Sequence, residues 1–157
     1  MLTDKQKEVL RKIVGILREN NILFQVNGGL AAIAYGANRP LYDIDLDVRQ
    51  ADIKKVELLF KGHIKKSLHH VTNSHFDVWL LVLSVDGVEV DISQIEESYI
   101  INSSSKKVKM NIDLANVTHI SINGIDLPIE PKDELIMYKK IIGRDTDLKD
   151  IELIERM

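Results

Sequence analysis

The chain has no cysteine. That excludes a disulfide scaffold, a thiolate zinc site and a cysteine nucleophile. It has no surplus of positive charge either: 21 Lys and Arg stand against 24 Asp and Glu, a formal net charge of −3. A dedicated duplex-binding module carries a basic excess, so a long nucleic-acid track is disfavoured. No apolar run approaches the ~20 residues of a bilayer span, and the opening Met1-Leu2-Thr3-Asp4-Lys5 lacks the apolar region of a signal peptide. The expectation is a soluble cytoplasmic protein with no membrane partner. A Walker loop is missing, because no Gly-Lys-Ser/Thr occurs, and so is the GxGxxG dinucleotide fingerprint.

What is present suits one domain. The 157 residues are 45% hydrophobic, enough for a real core. Thr3 and Gln6 form a capping-box pattern, and Val9, Leu10, Ile13, Val14 and Leu17 follow at helical spacing up to Asn20-Asn21. Ile22 to Val26 reads as a buried strand, Leu30 to Tyr35 as a short helix stopped by Gly36, and Asp43 to Val48 as a strand by its alternation. Asp52 is positioned to cap a helix reaching about Phe60. His63 to Ser74 is ambiguous. Phe76 to Val85 and Val88 to Ile92 flank Asp86-Gly87, a hairpin signal. Asn102 to Lys107 reads as a mobile loop dividing a larger front part from a shorter back part. A second, smaller hairpin follows at Val117 to Ile129, then helices over about Lys132 to Ile142 and Asp145 to Arg156. The expected class is mixed α/β (α+β): a small mixed sheet flanked by helices, with a short C-terminal hairpin and two helices.

Tyr42-Asp43-Ile44-Asp45-Leu46-Asp47-Val48 is the strongest chemical signal. Strand side chains alternate, so the aspartates share one face and Ile44, Leu46 and Val48 the other. Carboxylates this close repel one another, and a divalent cation with a preference for hard oxygen ligands removes the conflict. Asp91 sits between Val90 and Ile92 on the hairpin's return strand. Beside Asp43 and Asp45 it would complete a three-carboxylate site able to serve phosphoryl displacement. Glu89 shares its face and competes for the assignment. The plain alternative is a wet strand edge carrying several acids. Asn27-Gly28-Gly29, between a strand and a helix, is the second signal: glycines permit close backbone approach, and a helix start favours phosphate. Taken alone, it is also an ordinary tight turn.

Gly28-Gly29, thirteen residues, Asp43-Ile44-Asp45-Leu46, and the later Val90-Asp91-Ile92 together resemble the signature of the DNA polymerase β-like nucleotidyltransferase superfamily, over about Ile22 to Ser93. The likeness is to its small, minimal single-domain members of the lincosamide-nucleotidyltransferase kind, and the segment from Pro131 to Ile154 is similar to their helical tail. Asn27 stands where the pattern usually has an aliphatic residue. The resemblance implies a single nucleotidyltransferase-like domain over 1–157, with a core at about 22–93 and a helical appendage at about 131–157. It implies that Asp43, Asp45 and Asp91 are catalytic and ligate Mg²⁺ (or Mn²⁺). It further implies that Gly28 and Gly29 bind the triphosphate of a nucleoside triphosphate, whose nucleoside monophosphate passes to a hydroxyl of an acceptor. That acceptor is left open among a small molecule, a protein and an RNA end. ATP is one candidate donor.

Other residues are balanced between roles. Arg39 could pair with a phosphate or simply offset the acidic strand. Lys139 or Lys140 could reach the triphosphate, although solvated helix charges are the plainer reading. His69, His70 and His75 match no zinc spacing. Trp79, Phe76 and Tyr35 read as packing residues. A non-catalytic, antitoxin-like regulatory member of the fold and a metal-dependent phosphohydrolase are the rival functions. Only about sixty residues follow Ser93, so a homodimer completing the acceptor pocket is a further expectation.

Overall fold

Alternation sets the centre of the molecule. In the computed structural model, which describes residues 1–156, Ile44, Leu46 and Val48 of the strand Ile44–Val48 (β2) are fully buried on one face. The hairpin strands Phe76–Val85 (β4) and Val88–Gln94 (β5) add Leu81, Leu83, Val90 and Ile92 to the same core. Phe24–Asn27 (β1) adds Phe24 and Val26. Against this face pack the apolar stripe of the helix Asp4–Glu19 (α1), through Val9, Leu10, Ile13, Val14 and Leu17, and Ile53 and Val56 of the helix Gln50–Leu59 (α3). The opposite face is left for polar residues.

Register does the functional positioning. β1 runs antiparallel to β2 and puts Asn27 across from Asp45 and Gln25 across from Asp47. β5 runs parallel to β2 on its other side and puts Asp91 across from Asp45. The parallel pairing of β2 and β5 is made possible by the intervening α3, a 3₁₀ turn at Lys61–His63, the strand Ile64–Thr72 (β3) and β4. The ambiguous stretch is thus a strand: β3 pairs antiparallel with β4 along its outer edge. Two further strands, Tyr99–Ile101 (β6) and Lys107–Lys109 (β7), went unread in the sequence. β6 pairs with the start of β4 at Phe76 and Asp77, and β7 pairs with β6. The supposed dividing loop is therefore a tight hairpin turn, closed by the Asn102 carboxamide accepting from the backbone of Ser104 and Lys106. The last hairpin, Thr118–Ile122 (β8) and Ile125–Ile129 (β9), joins the same nine-stranded sheet through a parallel contact of Ile129 with Val26.

The helix Gly28–Ala34 (α2) follows β1 directly, and Lys132–Ile142 (α4) and Asp145–Glu155 (α5) follow β9. The Thr3/Gln6 capping box of α1 forms as expected, and Gly143 ends α4 in the left-handed conformation, φ 68°. The start of α3 differs from expectation. Arg49, not Asp52, is its N-cap, and the Glu96 carboxylate accepts from the Gln50 N–H. That cap comes from across the sheet, so local sequence does not reveal it. No described helix is long and apolar enough to cross a membrane.

Candidate active site

Asp43, Asp45 and Asp91 meet on the polar face. Each offers a carboxylate oxygen, and these oxygens lie within 4.8 Å of one another, the one such acidic or histidine cluster among the described residues. β2 supplies Asp45 and, just before the strand begins, Asp43; β5 supplies Asp91 through the Asp45–Asp91 register. Burial raises all three, and repulsion from a neighbouring carboxylate adds to it at each. Asp91 is pushed up to about 7, first by burial, then by Glu89 and Asp43. Asp45 is held well above the usual carboxylate range by burial and by Asp43, Asp91 and Asp47, with Lys139 opposing. Asp43 is raised by burial and Glu89, tempered by a hydrogen bond from Asp91 and by Arg39.

The donor set fits a divalent cation. One buried oxygen of Asp91 has no hydrogen-bond partner, which is costly unless something else satisfies it. Three hard oxygen donors suit Mg²⁺ or Mn²⁺. Glu89, the competitor, pairs with Lys65 at 2.9 Å and raises Asp91 both by its charge and by a side-chain hydrogen bond.

Behind the triad the polar face continues. Asp47 is buried and accepts from Gln25 Nε2 at 2.9 Å. Burial raises it to about 6, while the Gln25 and Asn27 side chains hold it down. The polar residue before the glycine pair thus faces the carboxylates. Glu130, buried at the end of β9, is driven well above its ordinary range by burial, Asp47 and Glu134, with Lys139 again opposing. Neither Glu130 nor the role of Gln25 could be assigned from sequence. Both depend on the pairing of distant strands.

The glycine pair makes room for these charges. Gly28 has φ +61°, and a Cβ there would lie 2.3 Å from Asp45 Oδ2. A Cβ on Gly29 would lie 3.0 Å from the Arg39 guanidinium. Arg39 is neither free nor surface-solvated: its Nη1 donates to both oxygens of Asp150, at 2.9 and 2.8 Å. Lys139 is buried, against the plainer sequence reading. Its Nζ lies 3.1 Å from Asp150 and 3.5 Å from Asp147, whereas Lys140 is exposed. His70 binds Asp77 and stacks on Trp79, His69 bonds the Ser67 carbonyl, and among the described residues no histidine joins a metal-ligand cluster. Trp79 and Phe76 are half-buried. Tyr35 packs at the core margin and donates to the Glu130 carbonyl. Two surface concavities of about 430 and 330 Å³, beside Arg49 and Glu96 and beside Arg11 and Arg18, contain no triad residue.

A family model described as aminoglycoside-2''-adenylyltransferase matches residues 9–154. The chain belongs to this family. It is a nucleotidyltransferase of the polymerase β-like superfamily, and its acidic triad suits the divalent-cation chemistry of such enzymes. Solved structures share the fold. A Thermotoga maritima protein assigned as a nucleotidyltransferase, TM1012, superposes with a TM-score of 0.77 at 18% identity, covering 99% of this chain and 94% of that one. The lincosamide antibiotic adenylyltransferase LnuA, bound to lincomycin, gives 0.68 at 17%, covering 98% and 97%. ANT(2'')-Ia in complex with adenylyl-2''-tobramycin gives 0.65 at 14%, covering 96% and 87%. No curated protein sequence matches this adenylyltransferase-family chain.

Proposed function

We propose that the protein transfers the nucleoside monophosphate of a nucleoside triphosphate, with ATP as the donor, to a hydroxyl of a small-molecule acceptor. The observation that carries this reading is the convergence of Asp43, Asp45 and Asp91 within 4.8 Å beside Gly28. The choice of ATP and of a small acceptor draws on the adenylyltransferase family description and on the lincomycin and adenylyl-tobramycin bound by two structural relatives.

Asp43, Asp45 and Asp91 would hold the divalent cation, Mg²⁺ or Mn²⁺. When bound, the cation supplies charge stabilisation on the α-phosphate and lowers the pKa of the acceptor hydroxyl. Gly28 and Gly29 leave the backbone open to the triphosphate. Arg39 and Lys139 place positive charge on the same side of the triad. Asp91 takes the acceptor's proton as its oxygen attacks the α-phosphorus, and pyrophosphate leaves with the bonding pair. The triad is half-buried, so water screens these charges less than it would at an open surface.

The test offers ATP, GTP, CTP and UTP with Mg²⁺ to a panel of hydroxylated acceptors, including amino sugars and lincosamides. Pyrophosphate release and adduct mass are followed. The expected result is an ATP-derived adduct in the wild type and a loss of ~10²-fold or more in Asp45→Asn. Phosphate release to water without an adduct would favour a phosphohydrolase, and nucleotide binding without turnover would favour a regulatory member.

A further inference from the structure

We propose that Asp150, on α5, is a positioning residue for nucleotide binding: its buried carboxylate clasps Arg39 and Lys139 and sets where both cations stand behind the Gly28-Gly29 turn. The proposal rests on the reading of that turn and the triad as the nucleotide site.

Three observations converge. The first is how fully Asp150 is used. It is 3% exposed, and it receives Arg39 Nη1 on both oxygens and Lys139 Nζ on one. A carboxylate removed from water in this way persists only when paired, and here two cations from different elements complete the pairing. The second is where the clasp stands. The Arg39 guanidinium lies so close to Gly29 that a Cβ would meet both of its terminal nitrogens at 3.0 Å. The charge of Lys139 reaches both Asp45 and Glu130. The third is the charge count. Arg39, Lys139 and Arg144 meet Asp147 and Asp150, with Arg144 Nε 2.7 Å from Asp147. Three positive charges against two negative ones leave this ion-pair cluster a net +1, and the charges of Arg39 and Lys139 are felt at Asp43 and Asp45.

Without Asp150 the two cations would repel each other and lose their common anchor. α5 touches the nucleotide site through this clasp, so its contribution is geometric: Asp150 acts through Arg39 and Lys139 and touches no substrate itself.

The test uses the full chain and two titrations, Mn²⁺ alone and a non-hydrolysable ATP analogue with Mg²⁺. Wild type is expected to bind both, and Asp45→Asn to lose Mn²⁺. In Asp150→Asn, Mn²⁺ affinity is expected to stay within about threefold of wild type while analogue affinity falls about tenfold. The double variant Asp150→Asn with Arg39→Gln is expected to lose less analogue affinity than the two single losses combined, because the Arg39 share of the clasp is already gone while the Lys139 share remains. Asp150→Glu keeps the charge but displaces the clasp by a methylene, so a smaller loss of analogue affinity is expected there; this variant carries the test if Asp150→Asn does not fold. Additive losses in the double variant, parallel losses of Mn²⁺ and analogue, or wild-type analogue affinity in Asp150→Glu would each overturn the positioning role. Failure of the wild type itself to bind Mn²⁺ or the analogue would instead bring down the nucleotide-site reading on which it stands.

Discussion

At the scale of single residues, the glycine pair has two functions that pull the same way. Read as sequence, Gly28-Gly29 suggests a backbone laid open to phosphate. The structure adds a steric reason, because each glycine vacates the space that a charged side chain fills. The two positions should therefore respond differently to alanine. At Gly28 the backbone is left-handed, and the added methyl would fall 2.3 Å from an Asp45 oxygen. The left-handed conformation alone costs roughly 1–2 kcal/mol for a residue bearing a Cβ, and Asp45, fixed on a central strand, has little freedom to retreat. Gly28→Ala is expected to lower the melting temperature and to abolish Mn²⁺ binding together. At Gly29 the nearest atoms, at 3.0 Å, belong to the flexible end of Arg39, so Gly29→Ala should keep Mn²⁺ and weaken nucleotide. Calorimetric titration with each ligand separates the two, and equal behaviour of both variants would contradict the steric account.

At the scale of elements, local chemistry and distant pairing divide what could be read. The N-terminus of α1 is local: Thr3 Oγ1 accepts from the Gln6 N–H and the Gln6 side chain returns to the Thr3 N–H. Thr3→Ala should cost about 1 kcal/mol, measured as a lower urea midpoint with an unchanged slope. An unchanged midpoint would mean that the end of α1 is frayed. Such patterns made α1, β2 and the β4–β5 hairpin legible, since caps, alternation and Asp86-Gly87 all lie within a few residues. β3 is an edge strand in which Lys65, Lys66 and Ser67 are exposed in succession and no residue is fully buried, so it has no buried stripe to announce it. β6 and β7 are three residues each and exist only through their partners. The site divides in the same way. Asp43 and Asp45 could be read from alternation, and Asp91 from the hairpin, but their meeting required the β2–β5 register. Lys139 resembles any helix lysine until α5 supplies Asp147 and Asp150, and Glu130 resembles a turn residue until β9 is seated beside β1.

For the whole molecule, the acids on the polar face couple folding to protons and cations. Asp91 is raised to about 7 and Asp47 to about 6, and Asp43, Asp45 and Glu130 are raised as well. Between the unfolded carboxylate range near pH 4 and these raised values, the native metal-free protein holds protons that the unfolded chain has released. Unfolding then releases protons, so the stability these groups confer is fully present below about pH 4 and is lost as pH climbs through 6 and 7. Asp77 runs the other way: held down by Lys107 and His70, it withdraws stability only as the solution becomes acidic, below the window that matters here. The melting temperature of the metal-free protein is accordingly expected to fall between about pH 5 and pH 8. A divalent cation binds the ionised triad and competes with its protons, so the rise in melting temperature produced by a fixed Mg²⁺ or Mn²⁺ concentration should be small at pH 5 and large at pH 8. Asp91→Asn removes one of the titrating carboxyls and should flatten both curves. Thermal melts across this range, with chelator and with cation, check the sign directly. A metal-free curve that rises from pH 5 to 8, or a cation-induced shift independent of pH, would show that the triad is not where protons and cations compete.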